Sequence, residues 1–362
     1  MTPPRTLIVG AGGLIGRHLL AAYRELDPET PGTARTSTGP GVFPLDLASL
    51  APSPLRGEGR GGGERSHQGE GSTPHPDPPP QGGRERESAG SLLLPPPGRG
   101  EGRGGGRLRA EPSTPHPHPP PQGGRGLEWL DGIREAIIAA AVPRVDDCER
   151  DPVGSSRVNV AGTLELARRL SGRGIVPVFL SSDYVFAGTD PAGYADDSET
   201  NPTTEYGRQK AEVEAALAAS GRPFTVLRLS KVFGLTRGDG TLLDEMAAKL
   251  TAGGIVSAAT DQVFCPAWVG DVVRAAIAVQ RAGLRGVVNL VPAEAWSRYD
   301  LAVELAKAVG ARESQVRPIS LDDLPGVRRP KCTKLIPTPA VPFAFTPVRE
   351  CIRRLAQEYA GE

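Results

Sequence analysis

The sequence predicts an α/β protein built on a doubly wound parallel sheet, and two observations lead to that fold class. Short apolar segments such as Thr6–Val9 alternate with longer segments of helical periodicity such as Leu14–Leu26 and Glu205–Ala219. Strands separated by helices form parallel sheets, because each helix carries the chain back to the end where the next strand begins. In addition, a glycine-rich turn joins the first strand directly to the first helix, as is typical of such sheets.

The predicted elements follow one another in regular order along the chain. Strands are predicted at residues 6–9, 33–35, 42–45, 137–141, 176–181, 225–229 and 286–290. Helices are predicted at residues 14–26, 127–136, 157–170, 205–219, 269–280 and 299–309. Strand and helix therefore alternate on both sides of one long interruption.

That interruption is a low-complexity segment at residues 52–126. It holds 19 of the 46 Gly and 16 of the 37 Pro, more than twofold above the density in the rest of the chain, and it repeats its own motifs, such as RGEGRGGG at 56–63 and 99–106. Ordering a backbone costs about 1–2 kcal/mol per residue, which a segment with almost no large apolar side chains cannot offset. We therefore predict a disordered insertion between the third strand and the helix that leads to the fourth.

Composition excludes several classes of partner. The 42 basic and 42 acidic residues balance, which gives no electrostatic reason to expect nucleic acid or an anionic membrane as a partner. The four cysteines are far apart and form no C-x-x-C pair, so neither a metal site nor a disulfide framework is expected. With no run of 18 apolar residues, we expect a soluble, cytoplasmic protein without a membrane span.

The glycine-rich turn predicts a dinucleotide site. Gly10, Gly13 and Gly16 follow the first strand with the spacing G-x-x-G-x-x-G. Glycines at these positions let the backbone turn sharply, approach a pyrophosphate and pack the helix against the strand. Leu14 and Ile15 then begin the helix whose positive end faces the phosphates.

The next two strands bear on the choice of cofactor. No acidic residue closes the second strand to bind a ribose diol; Arg35 stands there instead and suits a 2′-phosphate, so NADPH is favoured, with NADH as the alternative. Asp46 and Leu47 follow the third strand. Asp46 is placed either to hydrogen-bond the adenine amine or to cap a helix, and the sequence leaves both roles open.

Three side chains form a candidate catalytic set. Tyr206 and Lys210 lie four residues apart on one predicted helix face, where a Lys ammonium favours the phenolate and lowers the pKa of the phenol toward a working range. Ser182 follows the strand at 176–181, whose carboxyl end faces the ligand crevice of such sheets. A hydroxyl there can bind a carbonyl oxygen beside the phenol, which predicts carbonyl/hydroxyl redox chemistry.

Together these motifs resemble the extended short-chain dehydrogenases/reductases, and within them the dTDP-4-dehydrorhamnose reductases. The matching segments are GAGGLIG at 10–16, SSDYVF at 181–186, YGRQK at 206–210 and RPK at 329–331. The resemblance implies an NAD(P)-binding Rossmann domain at 1–235, with the insertion inside it, and a smaller substrate-binding domain at 236–362 interleaved with the first. It also implies NAD(P)H-dependent reduction of a 4-keto nucleotide sugar with Tyr206 as proton donor, and it leaves a homodimer open.

The resemblance also assigns roles position by position. Lys210 matches the residue that holds the nicotinamide ribose, and Asn159 matches a helix asparagine that supports the lysine through water. On the cofactor side the small residues are Ala139, Ala140 and Ala141; on the substrate side we expect Asp183, Tyr184, Lys231 and Phe233. Lys231 stands where the family often has a stacking Trp, so it either faces a diphosphate or is solvated.

Two other functions remain as alternatives. An epimerase or dehydratase would use the same scaffold, although a dehydratase usually needs a Thr-Asp-Glu run and Ser182-Asp183-Tyr184 lacks the Glu. A non-catalytic regulatory subunit would bind a sugar nucleotide or NADP without turning it over. The intact Ser182, Tyr206 and Lys210 argue against that alternative, whereas the inserted repeats favour it.

Overall fold

A seven-stranded parallel sheet organises the fold. The computed structural model of the chain describes residues 4–36, 39–52 and 130–360. The strands, in chain order, are Thr6–Val9 (β1), Gly32–Ala34 (β2), Val42–Pro44 (β3), Glu135–Ile138 (β4), Val176–Ser182 (β5), Thr225–Leu229 (β6), Val232–Phe233 (β7), Val256–Ala259 (β8), Val263–Phe264 (β9), Ala267–Trp268 (β10), Gly286–Asn289 (β11), Trp296–Ser297 (β12) and Val316–Ile319 (β13).

Ten α-helices of the described residues flank the strands. They are Leu14–Leu26 (α1), Leu47–Leu50 (α2), Val145–Arg150 (α3), Pro152–Ser156 (α4), Thr163–Ser171 (α5), Glu205–Ala219 (α6), Leu242–Thr251 (α7), Val269–Arg281 (α8), Arg298–Ala308 (α9) and Val348–Ala360 (α10). A π-helical turn at Arg157–Gly162 joins α4 to α5.

The strand order of the main sheet is β11-β6-β5-β4-β1-β2-β3, with every neighbouring pair parallel. The chain winds from β1 outward to β3 and then returns to β4 on the other side of β1, so the winding direction reverses between β1 and β4. A crevice opens at such a reversal outside the carboxyl ends of the strands, and ligands bind there in sheets of this kind. The prediction of a doubly wound parallel sheet is confirmed.

Alternate residues of the strands feed two separate cores. On one face, residues such as Ile8 and Leu227 pack with Leu19 of α1 and with α8. On the other face, residues such as Leu7 and Phe179 pack with α5 and α6. Strands buried on both faces read as continuous apolar runs, which is why β1 and β6 are recognisable from sequence.

A third core belongs to the C-terminal part of the chain. Helices α7, α9 and α10 pack there against β8, with Leu243, Leu305 and Leu355 fully buried at its centre. Strands β8 and β13 pair in parallel beside them. Sequence analysis placed neither α7 nor α10, although both carry buried apolar residues at helical spacing.

The predicted helix at 127–136 is wrong over the described part of its range. Residues 135–138 form β4, which is completely buried between β1 and β5. A short apolar run has no periodicity that distinguishes a buried strand from a buried helix, and here pairing on both sides decides for the strand. Residues 127–129 and, apart from Pro52, the predicted disordered insertion at 52–126 lie outside the described residues.

Candidate active site

The glycine turn between β1 and α1 has the geometry of a phosphate-binding loop. Gly10 has φ of +88°, and a Cβ there would lie 2.5 Å from the backbone nitrogen of Ala140. A Cβ on Gly16 would lie 2.0 Å from the carbonyl oxygen of Gly10. Only glycine fits at either position, because the end of β4 and the first turn of α1 both close onto this turn. The backbone N–H groups that begin α1 have no side-chain cap, so the cradle fits a dinucleotide pyrophosphate.

The other residues predicted on the cofactor side take different positions. Leu14 and Ile15 open α1 with half-buried side chains, and exposed Arg35 directly follows β2. Ala139, Ala140 and Ala141 continue from β4 past Gly10, and Ala139 N donates to Val9 O at 2.8 Å. These positions border the crevice between β1 and β4.

Two predictions beside β3 are resolved by local contacts. Asp46 caps α2, since its Oδ1 accepts from Ala48 N at 3.1 Å. This is the second of the two roles that the sequence left open. Leu47 is 3% exposed and packs in the hydrophobic core beneath the π-helical turn, so its side chain does not line a ligand surface.

Tyr206 and Ser182 meet at the carboxyl end of β5. Thr204 begins α6 by accepting from Gly207 N at 3.1 Å, which places Tyr206 in the first turn above the sheet edge. Burial and the nearby charge of Asp183 raise the pKa of the Tyr206 phenol well above its usual range, while a hydrogen bond to Ser182 acts in the opposite direction. The phenol is therefore protonated at neutral pH, as a proton donor must be.

Lys210 lies beneath the phenol and is buried. Its Nζ donates to Leu180 O at 2.8 Å and lies 5.7 Å from the centre of the Tyr206 ring. Burial lowers the pKa of Lys210 to about 8, against the opposing charge of Glu214. We expected the lysine to lower the pKa of the tyrosine, but the raised pKa of Tyr206 shows that burial dominates there.

A buried ion pair supports Lys210 from the next helical turn. Glu214 follows Lys210 by four residues on α6, and its carboxylate accepts from Arg228 Nη2 at 2.7 Å and from Ser181 Oγ. Both side chains of the pair are almost completely buried, and the Arg228 guanidinium also lies 5.0 Å from the centre of the Phe186 ring. The pair ties α6 to β5 and β6. Sequence analysis covered both residues only through the predicted strand at 225–229 and the predicted helix at 205–219, and it gave neither a role.

Asn159 contacts the backbone of Val142 and the side chain of Gln209. From the π-helical turn its Oδ1 accepts from Val142 N at 2.7 Å, and its Nδ2 donates to Gln209 Oε1 at 2.7 Å and Val142 O at 3.1 Å. The amide therefore fastens the segment after β4 to α6. These bonds use both ends of the side chain and make Asn159 a support for the walls of the crevice.

Asp183 is a buried junction of three segments. Its Oδ1 accepts from Ser182 Oγ at 3.0 Å, and its Oδ2 accepts from Ser230 Oγ and from Thr333 Oγ1, each at 2.7 Å. Burial raises the pKa of the Asp183 carboxyl, and the three hydroxyl donors oppose that rise. Ser230 and Thr333 are site residues that sequence analysis missed, because isolated hydroxyl residues carry no local signal.

The remaining residues predicted to contact the substrate separate into two groups. Tyr184 packs edge-on against Tyr206 with 6.3 Å between ring centres. Lys231 directly follows Ser230, and its side chain reaches solvent from a position that protein surrounds on most sides. This partial burial lowers the pKa of Lys231, and the nearby charge of Arg298 lowers it further. Phe233, in contrast, is 1% exposed in the C-terminal core, where a substrate cannot reach its side chain.

Over 4–36, 39–52 and 130–360, no group of three or more His, Cys, Asp or Glu side chains is arranged to hold a metal ion. Within the same ranges, no helix has the length and apolarity needed to cross a bilayer.

Comparison with known proteins identifies relatives for this arrangement. Residues 130–357 match the family described as RmlD substrate binding domain. The chain is 33% identical over 218 residues to a dTDP-4-dehydrorhamnose reductase of Mycolicibacterium smegmatis, over 59% of this chain and 66% of that protein. It is 34% identical over 186 residues to a probable dTDP-4,6-dihydroxy-2-methyloxan-3-one 4-ketoreductase of Streptomyces antibioticus, over 49% of this chain and 61% of that protein. The matched part thus spans less than two thirds of each of these relatives.

A solved structure shares the fold across almost the whole length. The crystal structure of a dTDP-4-dehydrorhamnose reductase from Bacillus anthracis in complex with NADP matches with a TM-score of 0.66. The match covers 98% of this chain and 99% of that one at 17% identity. At this identity the likeness establishes the fold.

The buried ion pair below Lys210 yields a stability prediction. Glu214→Gln should lower the free energy of unfolding by about 3–5 kcal/mol, because it leaves the Arg228 charge buried without a partner. The double variant Glu214→Gln/Arg228→Met should lose less than the sum of the two single losses. Urea unfolding measures all three, with Glu350→Gln, whose ion pairs are at the surface, as the control. Strictly additive losses would contradict the pairing.

Proposed function

Because the chain belongs to the RmlD substrate binding domain family, we propose that it is an NAD(P)H-dependent reductase of a 4-keto nucleotide sugar. The observation that carries the proposal is the meeting of Tyr206, Ser182 and Lys210 at the carboxyl end of β5, beside the crevice that Gly10 borders. The reductase names of the relatives support it as well. NADPH is the preferred cofactor because Arg35 follows β2, and NADH is the alternative.

In this proposal each site residue has one task. The Ser182 hydroxyl turns from Asp183 toward the sugar carbonyl and donates a hydrogen bond to its oxygen. Tyr206 gives its proton to that oxygen as the alcohol forms. Lys210, held by Leu180 O and favoured in its charged form by nearby Glu214, provides the positive charge that stabilises the resulting phenolate. When bound, a reduced nicotinamide supplies the hydride.

The proposal also assigns regions of the chain. Residues 1–235 would bind the dinucleotide and residues 236–362 the nucleotide sugar, with β11 returning from the second region to complete the main sheet. The four cysteines are free thiols, in keeping with a reducing cytoplasm.

Tyr206→Phe tests the proton donor. With NADPH and a panel of 4-keto nucleotide sugars, kcat should fall by about 100-fold or more, because the hydroxyl that protonates the product is lost. Loss of absorbance at 340 nm measures the rate, and Tyr299→Phe, a half-buried tyrosine of α9, is the control. Turnover unchanged in Tyr206→Phe would remove this residue from its role.

The same assay with the unmodified protein distinguishes the alternative functions. NADPH binding without turnover would favour a regulatory subunit, and sugar conversion without net oxidation of NADPH would favour an epimerase.

Gly16→Ala tests the phosphate cradle. Its methyl group would lie 2.0 Å from Gly10 O, so the turn must open and NADPH should bind about tenfold or more weakly. Gly12→Ala is the matched control, since its methyl group would meet only Ala34 Cβ at 3.8 Å. Titration of NADPH fluorescence gives both dissociation constants. Equal affinity in the two variants would argue against this turn as the pyrophosphate site.

The lowered pKa of Lys210 sets a pH dependence. Since the ammonium is the active form and its pKa is about 8, kcat/KM should fall as pH rises through 8. In Lys210→Arg the guanidinium keeps its proton throughout, so the residual activity should show no such fall. Initial rates between pH 6 and 10 make the comparison. The same fall in the variant would assign the titration to another group.

A further inference from the structure

The two oxygens of the Asp183 carboxylate are occupied unequally. Its Oδ2 accepts from Ser230 Oγ and from Thr333 Oγ1, each at 2.7 Å. In the part of the chain that the structure describes, its Oδ1 accepts from Ser182 Oγ alone, at 3.0 Å. Hydroxyl donors draw the negative charge of a carboxylate toward the oxygen that receives them. The oxygen that faces the catalytic hydroxyl is therefore the weaker acceptor of the two.

This inequality matters because Ser182 has only one hydroxyl proton, for which Asp183 and a substrate carbonyl would compete. The Ser182 oxygen is held from the other side, since it accepts from Tyr184 N at 3.3 Å. A rotation of the hydroxyl about the Cβ–Oγ bond is then enough to turn its proton from Asp183 toward a carbonyl beside Tyr206. The free energy of that turn depends on how strongly Oδ1 holds the proton.

The segment that carries Thr333 is fixed on both sides. Thr333 N donates to Val263 O at 2.8 Å, and Cys332 N donates to Gly188 O at 3.0 Å. A Cβ on Gly188 would lie 2.6 Å from the Cβ of Pro330, so the loop after β5 closes directly onto this segment. The Thr333 side chain is almost completely buried, which shields its hydroxyl from water that would otherwise replace Asp183 as its partner.

The two donors to Oδ2 differ in their other contacts. Ser230 Oγ also accepts from Cys265 N at 3.1 Å, so its removal would disturb the backbone after β9 as well. Thr333 Oγ1 has Asp183 as its one hydrogen-bond partner within the described ranges. Replacing Thr333 by valine, which has the same shape, therefore isolates the effect of a single donor on the carboxylate.

We infer that Thr333 is a positioning residue for the reduction: it holds the charge of Asp183 on Oδ2, so that Ser182 can turn its proton to the substrate oxygen. This inference rests on the proposed function. Thr333 acts through Asp183 and does not itself contact the substrate. Burial raises the pKa of the Asp183 carboxyl, and the Thr333 hydrogen bond is the largest of the factors that lower it again. The same donor thus helps to keep Asp183 ionised, as an acceptor for Ser182 must be.

The other groups that face Asp183 come from several elements. Lys231, just before β7, lowers the pKa of Asp183. The charge of Asp183 in turn raises the pKa of Tyr206 on α6, of Tyr184 after β5 and of Cys265 after β9, in each case after burial as the largest cause. These phenols and this thiol are neutral on the acid side of neutrality. Within this group only Asp183 changes its charge there.

Thr333→Val tests the inference in the full-length chain. With NADPH and a 4-keto nucleotide sugar that the unmodified chain reduces, kcat should fall by about tenfold, because Oδ1 then holds the Ser182 proton more strongly. KM and the NADPH dissociation constant should stay within about twofold. Thr333→Ser keeps a hydroxyl and should recover most of the loss. Thr225→Val is the matched control, since this buried threonine donates to Leu284 O at 3.2 Å at the opposite edge of the sheet.

The pH profile separates positioning from a merely structural role. Loss of the donor raises the pKa of Asp183 further, so on the acid side kcat of Thr333→Val should begin to fall at a higher pH than kcat of the unmodified chain. The fall through pH 8 that belongs to Lys210 should remain. Weakened folding alone would lower kcat by the same factor across the profile.

An NMR titration of the chain with ¹³C-labelled aspartate carboxyls follows Asp183 without turnover, with Asp183→Asn to assign its signal. The midpoint should be higher in Thr333→Val than in the unmodified chain and in Thr333→Ser. Equal midpoints, kcat of Thr333→Val within about twofold of the unmodified chain, or a Thr333→Ser variant as slow as Thr333→Val would each overturn the inference. If the midpoint shifts but the unmodified chain reduces no 4-keto sugar, the reductase proposal fails and the effect of Thr333 on Asp183 stands.

Discussion

The buried carboxylate of Asp183 is the constraint on which the candidate site depends. It joins the end of β5, the end of β6 and the C-terminal segment through Ser182, Ser230 and Thr333. Segments that are far apart in sequence therefore meet at one edge of the sheet, where the hydroxyl of Ser182 faces the phenol of Tyr206. A buried carboxylate is tolerated because hydroxyl donors satisfy its oxygens, and removing any of them would leave a polar atom unsatisfied.

The second requirement is that α6 keeps a fixed position over the sheet, because it carries both Tyr206 and Lys210. Glu214 fastens its middle to β5 and β6, and Asn159 fastens its first turns to the segment after β4 through Gln209. The π-helical turn gives Asn159 its position, and irregular turns of this type are common at functional sites. These contacts are polar and directional, so they fix the orientation of the helix more narrowly than apolar packing alone would.

The sequence predicted what periodicity and local motifs can encode. The bounds of α6 and β6 agree with the prediction, and so does the glycine turn, because each is a continuous pattern. The failures have one cause: the start of β4, the side-chain burial of Phe233 and the junction at Asp183 are decided by which segments pack together. The segment that forms β4 would be just as apolar in a helix as in a strand, so its sequence alone does not distinguish the two. Ser230 and Thr333 become site residues only when the fold brings them to Asp183.

The charge along the cleft changes from the sheet edge toward α9. At the sheet edge Tyr206 is held neutral by its burial, and Asp183 accepts hydrogen bonds from hydroxyls that carry no charge to neutralise its own. Toward α9 the cleft carries the positive charges of Lys231 and Arg298. A ligand with a neutral carbonyl at one end and anionic oxygens at the other would therefore be oriented by electrostatics before any specific contact forms, because field lines concentrate in a cleft with protein walls. The same polarity would disfavour the reversed orientation, in which the anion would lie against Asp183.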